Sequence, residues 1–266
     1  MLVKKEWMCE EGMVTLNPSK DYDCFNGNYG GDENQHMWCS IYYTLLKMLD
    51  PSLLTNEDRD HVKKTLHRTQ AEYGGFKVAG LYHRHGPPYP TGPEHHGVSH
   101  DEMNGIAIQS KLFGLHVAEE IVKYGKKHGW AFIDERPYTH PIKNIFSIEK
   151  GKRLFMLGRI RQPRDRAFYK MCNNERPSIV GYLHLLLTAW ITSRKPKADT
   201  SGKILAFTRF QALKGKYKMF DFMYKIFRKN LIKTHGENFL EDILKIYFRH
   251  STHPFHEMAK QCRGKY

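Results

Sequence analysis

Apolar residues recur at helical spacing along most of the chain. From Met37 to Leu49, the side chains Trp38, Ile41, Tyr42, Leu45, Leu46 and Leu49 fall on one stripe, which reads as core, and Pro51 ends the helix. Thr55 with Asp58 can start a second helix over about 56–72, its exposed face carrying Lys63, Lys64 and Arg68. A third pattern runs from Ser99 to about Lys127, with Ile106, Phe113 and Val117 in register. Gly105 and Gly114 weaken that helix and mark the close approach of another helix or a ligand. Shorter patterns follow over about 147–160, 164–172, 178–193, 202–213, 218–234, 238–249 and 254–262, punctuated by Pro163, Pro177, Pro196 and Pro254. No run alternates convincingly as a strand, and no break in composition divides the chain. The expectation is a single all-α domain over residues 1–266 with about ten helices.

Two stretches lack this periodicity. Residues 1–35 read as irregular, and the turn-rich run Asn26–Gly31 delivers Asp32, Glu33 and Asn34 to the first helix. Residues 74–98 form a long loop rich in glycine and proline that holds Tyr82, His83, Arg84, His85, Tyr89, His95 and His96. Loops of this length in compact domains are functional or disordered, and this many imidazole and aromatic groups points to function.

The chemistry concentrates between Glu94 and Gly105, where three histidines, three carboxylates, a serine and an asparagine meet a helix start. Ser99 and Glu102 have capping-box spacing, so the helix dipole and the cap account for both. They do not account for His100, Asp101 and Asn104. Asp32 and Glu33 stand at another helix entrance, and two carboxylates from separate entrances can face one substrate as acid and base. That arrangement suits a glycosidic bond. Asp101, Glu33 and His100 are the candidate catalytic groups. Asn34, His36, His83, Arg84, Asn104, Trp130 and Arg161 are the candidates for binding substrate. The same histidines, asparagines and arginines also suit β-elimination in a uronic-acid polymer, with the substrate carboxylate neutralised while a histidine or tyrosine moves the proton.

Composition narrows the partners. A formal net charge of +14 suits a polyanion: an acidic polysaccharide, nucleic acid or an anionic surface. Lysines and aromatics interleave over 214–233, and at helical spacing the aromatics read as core and the lysines as a solvated face. The row Arg159 to Arg166 is a cationic turn with Asp165 as its internal counter-charge. The five cysteines form no CxxC pair, and His83, His85, His95, His96 and His100 meet no standard metal spacing, so neither metal nor cofactor is required by the scheme. No run is long and apolar enough to span a bilayer, and a protein made in the cytosol is expected.

The segments Glu33-Asn34, Ser99-His100-Asp101-Glu102 with Gly105, Tyr124-Gly125, His128-Gly129-Trp130, Arg161-Gln162-Pro163 and Thr200-Ser201-Gly202-Lys203 resemble a group of uncharacterised phage and environmental-virus proteins. The resemblance implies a helical toroid, or an incomplete one, akin to the (α/α) barrels of glycoside hydrolases and polysaccharide lyases. It makes cleavage of a polysaccharide the expected activity. The rival reading is a non-enzymatic phage protein, either a virion component or a nucleic-acid binder using its basic surface.

Overall fold

A computed structural model describes residues 7–8, 13–15, 34–73, 75–83, 98–132, 161–195 and 200–266. Among these residues the chain is mostly helical, with ten α-helices and one two-stranded hairpin. The helices are α1 (Gln35–Leu49), α2 (Asn56–Thr69), α3 (His100–Phe113), α4 (Val117–Lys127), α5 (Pro163–Cys172), α6 (Ile179–Arg194), α7 (Thr200–Leu213), α8 (Lys218–His235), α9 (Phe239–Tyr247) and α10 (Pro254–Gln261). The strands are β1 (Gln70–Tyr73) and β2 (Phe76–Tyr82).

Three expectations need correction. The helix expected over 56–72 ends at Thr69, and the chain passes directly into β1, which pairs antiparallel with β2 in the register Gln70 to Tyr82 and Tyr73 to Phe76. Part of the supposed loop 74–98 is therefore strand. Gly80 lies at φ +83°, and a Cβ there would stand 2.3 Å from the carbonyl oxygen of Glu120, so this strand is seated on α4 where only glycine fits. The single helix expected over 99–127 is two. Gly114 adopts a left-handed conformation at φ +62° and caps α3, and α4 starts at Val117. The helix expected over 147–160 lies outside the described residues.

Two helices organise the core. Residues 203–213 of α7 are buried without interruption, and this helix packs against α1, α3, α5, α6, α8 and α9. Helix α3 packs on α1 so that Gly105 meets the backbone of His36 while Phe113 meets Tyr43, with ring centroids 4.9 Å apart. The two helices therefore run parallel and start at the same end of the molecule. At that end Ser99 caps α3 by accepting from the amide of Glu102 at 3.1 Å, and its hydroxyl donates to Oδ1 of Asn34, the residue preceding α1, at 3.0 Å. Only half of the expected capping box forms. The Glu102 carboxylate turns instead to α1 and accepts from the amide of His36 at 3.3 Å. A buried carboxylate of one helix thus satisfies a donor at the start of another.

The described N-terminal residues are anchored far along the chain. Trp7 packs edge-on against His250 and His253. His253 precedes α10, accepts from the amide of Phe255 through Nδ1, and meets the carbonyl oxygen of Thr15 through Nε2 at 3.2 Å. These bonds require the neutral ring with its proton on Nε2. The three described cysteines, Cys39, Cys172 and Cys262, are buried.

Two outcomes follow from this packing. Gly105→Ala places a methyl group 2.3 Å from the carbonyl oxygen of His36, and urea unfolding should show a loss of about 3 kcal/mol or more. Burial lowers the pKa of His253 to about 3. The unfolded chain binds the proton that the folded chain refuses, so stability should fall as pH drops from about 6.5 towards 3, and His253→Gln should flatten that limb in melts across pH.

Candidate functional site

Helices α3, α5 and α7 bring their first turns to one cavity of about 100 Å³, lined on one side by His100, Asp101, Asn104, Arg164, Asp165, Ser201 and Gly202. Leu185, Ala189, Leu205, Ala206, Phe210 and Phe220 form its apolar side. The space suits a few waters or one small substrate group. Each of the three helix starts brings the positive end of a helix dipole, a setting that stabilises negative charge.

Asp165 is the centre of the polar side. It sits in the first turn of α5, where Pro163 starts the helix, and its side chain is 1% exposed. Oδ2 lies 2.9 Å from Nδ1 of His100 on α3, and Oδ1 accepts from Nη2 of Arg209 on α7 at 2.7 Å. Burial alone would raise the pKa of this carboxyl. The His100 hydrogen bond and the charges of Arg209, His100 and Arg164 outweigh it and hold the group well below the usual carboxylate range.

Asn104 closes the network. Its Nδ2 donates to the carbonyl oxygen of His100 at 2.6 Å, and its Oδ1 accepts from Nε of Arg209 at 3.2 Å. The Arg209 guanidinium also lies over the ring of Phe168, 5.3 Å from its centre. Asp165 thus braces the imidazole directly, and Asn104 and Arg209 complete the network behind it; the His100 side chain is 30% exposed at the cavity wall. Arg164 lies beside them with Nε 3.9 Å from Oδ1 of Asp165. Among the described residues that nitrogen has no hydrogen-bond acceptor. Nearer the start of α7, Nζ of the buried Lys203 lies 3.2 Å from Nε2 of His235, whose pKa is lowered by burial and then by that ammonium.

Of the residues expected to form the site, His100, Asp101 and Asn104 reach the cavity. Asn34 and His36 lie behind it at the start of α1. His36 meets Oγ1 of Thr69 at 3.1 Å, and His83 donates its amide to the carbonyl oxygen of the same threonine at 2.8 Å. These two buried histidines tie the hairpin to α1 and do not line the cavity. Arg161 is buried, with its guanidinium over Phe132 and Nη2 donating to the carbonyl oxygen of Val98 at 2.7 Å, which holds the chain just before α3. Trp130 lies at φ +65° with its ring packed on Gly125. Glu33 and Arg84 lie outside the described residues. Among the described residues no group of three His, Cys, Asp or Glu side chains could hold a metal ion.

In the sequence Asp165 reads only as a counter-charge, and Arg209 is not singled out. One signal was present: Arg209 is a lone cation in the apolar run Ile204–Leu213. A charge in such a run must be paired when the helix is buried.

No family model matches the chain, no curated protein matches its sequence, and no solved structure matches its fold. The geometry defines a class of site: a braced histidine–aspartate pair at gathered helix starts.

Removing one partner of the buried pair should be costly. Arg209→Met leaves Asp165 charged and half-satisfied, and denaturant titration should show a loss of roughly 3–5 kcal/mol. The lowered pKa of Asp165 means that its contribution is complete above the ordinary carboxylate value and is lost as pH falls through the folded value. Asp165→Asn should therefore weaken the protein at neutral pH and reduce its further loss of stability below about pH 4 in acid melts.

Proposed function

We propose that the cavity is the acid–base centre of an enzyme that cleaves an acidic polysaccharide, with elimination favoured over hydrolysis. The observation that carries this reading is the 2.9 Å contact between His100 Nδ1 and Asp165 at the cavity wall, with the Arg164 guanidinium beside it. Asp165 orients the ring and leaves proton transfer to Nε2. His100 would take the proton on the carbon next to a uronate carboxylate, while Arg164 and the helix starts stabilise the charge that builds on that carboxylate. The glycosidic oxygen would leave with the proton returned by the imidazolium, giving an unsaturated sugar end and a new reducing end. A cavity of this size takes one charged group, so the polymer would run across its mouth. Hydrolysis would need a second carboxylate opposite Asp101. Its expected partner is Glu33.

An incomplete toroid remains the proposed architecture, supported by the first turns of α3, α5 and α7 lining one cavity. Such a toroid supports this reading by analogy of fold alone.

The test is a screen of neutral and uronic polysaccharides, reading reducing ends together with ultraviolet absorbance of unsaturated products. Both signals should rise on a uronic polymer, and His100→Ala should lower turnover by about 10²- to 10⁴-fold at an unchanged melting temperature. Reducing ends without absorbance would mean hydrolysis and shift the assignment to Asp101 and Glu33. Full turnover in His100→Ala would remove the histidine from the chemistry.

A further inference from the structure

Helix α6 has two faces of opposite use. Leu185, Thr188, Ala189 and Thr192 point inward and line the cavity. The residues of α6 that are exposed are Ile179, Val180, Leu183, Leu187, Ile191 and, at the end, Arg194. Over four turns the outward third of this helix is aliphatic, and a surface helix normally presents polar groups there. Its neighbour α8 runs parallel beside it, since Tyr182 meets Tyr217 near the two starts and Ser193 meets Asn230 near the two ends. The exposed residues of α8 are Lys218, Met219, Phe222, Lys225, Lys229 and Lys233. An aliphatic ridge thus lies against a row of four lysines with two large apolar side chains set among them. The seven apolar side chains are each 41–78% exposed. Among the described residues none of the four lysines makes an ion pair.

We infer that the α6–α8 face docks on an anionic lipid surface. Both halves of the face find a partner there: the aliphatic ridge enters the boundary between headgroups and acyl chains, and the lysines remain among anionic headgroups. Trp190, half-buried with the Arg194 guanidinium 4.9 Å over its ring, adds an amphipathic side chain of the kind favoured at that depth. A second copy of the chain suits the face less well. Pairing α6 with its twin would bring two lysine rows together on molecules that each carry +14. Nucleic acid would use the lysines and leave the aliphatic ridge in water. No described helix is long and apolar enough to cross a membrane, so the contact is with the surface.

Cosedimentation of the full chain with vesicles of phosphatidylcholine alone, or mixed with phosphatidylglycerol, tests this. Binding should be at least about tenfold tighter on the anionic vesicles and should weaken with salt. Leu183→Asp with Leu187→Asp, and separately Lys225→Glu with Lys229→Glu, should each lower it by about tenfold or more, with the melting temperature kept. The reversal Lys63→Glu with Lys64→Glu on α2 should change it far less. Three results would overturn the inference. The first is equal binding to both vesicle types, or none to either. The second is an equal loss from the α2 reversal. The third is a concentration-dependent dimer in sedimentation that the leucine substitutions abolish, which would assign the face to a second copy.

Discussion

A carboxylate that is almost wholly removed from water holds the cavity end of this molecule together. Asp165 would be costly where it stands without compensation, because a buried charge loses its hydration. It is met by an imidazole from the start of α3 and by a guanidinium from the later turns of α7, so three helices are joined through one side chain. Such pairs add little net stability compared with a well-packed apolar core, since desolvation offsets most of the attraction. Their consequence here is positional. The carboxylate is satisfied only when the starts of α3 and α5 meet beside the Arg209 turn of α7, and the cavity lies against that junction.

The layer behind the cavity follows the same logic with weaker bonds. Glu102 supplies an acceptor to the start of α1, and Ser99 bridges Asn34 to the first turn of α3. Gly105 lets the two helix backbones approach closely enough for these bonds to form. Gln109 reinforces the contact by donating to the carbonyl oxygen of His36 at 3.1 Å. Polar groups therefore run from Thr69 through His36 and Asn34 to His100, while the same helices are apolar toward the other end. A helix as enclosed as α7 can carry Arg209 because Asp165 and Asn104 meet it, while the Lys203 ammonium lies beside Nε2 of His235.

The cavity wall formed by α6 has a consequence on its far side. A sixteen-residue helix whose only charged residue is a terminal arginine would ordinarily be buried all round. Here one side closes the cavity against Leu205, Ala206 and Phe210, and the other faces out beside the lysines of α8. If that outer face is occupied by a lipid surface, the thin wall between surface and cavity is a single helix. Docking and the site then share α6 and can be separated by substitutions on its two faces.

Much of the helical content was legible in the chain itself. Periodicity placed α1, α5, α6, α7, α8 and α9 within a few residues of their observed spans, because apolar spacing and caps are local properties. The start of α3 and the presence of His100, Asp101 and Asn104 at a polar site were legible for the same reason, since Ser99 marks the helix entrance. The hairpin was missed because β1 is four residues long, follows a helix without a break, and has a bulge that spoils its alternation. The break at Gly114 was missed because glycine at a helix end and glycine at a close approach look alike until φ is known. What tertiary structure alone decided is which side chains meet. His100 and Asp165 are 65 residues apart, and Asn104 and Arg209 are 105 apart. The pairing of such groups depends on how helices stack, and no local pattern records it. The same holds for the outer face of α6. Its sequence says apolar, and only the packing of its neighbours determines that one side stays uncovered.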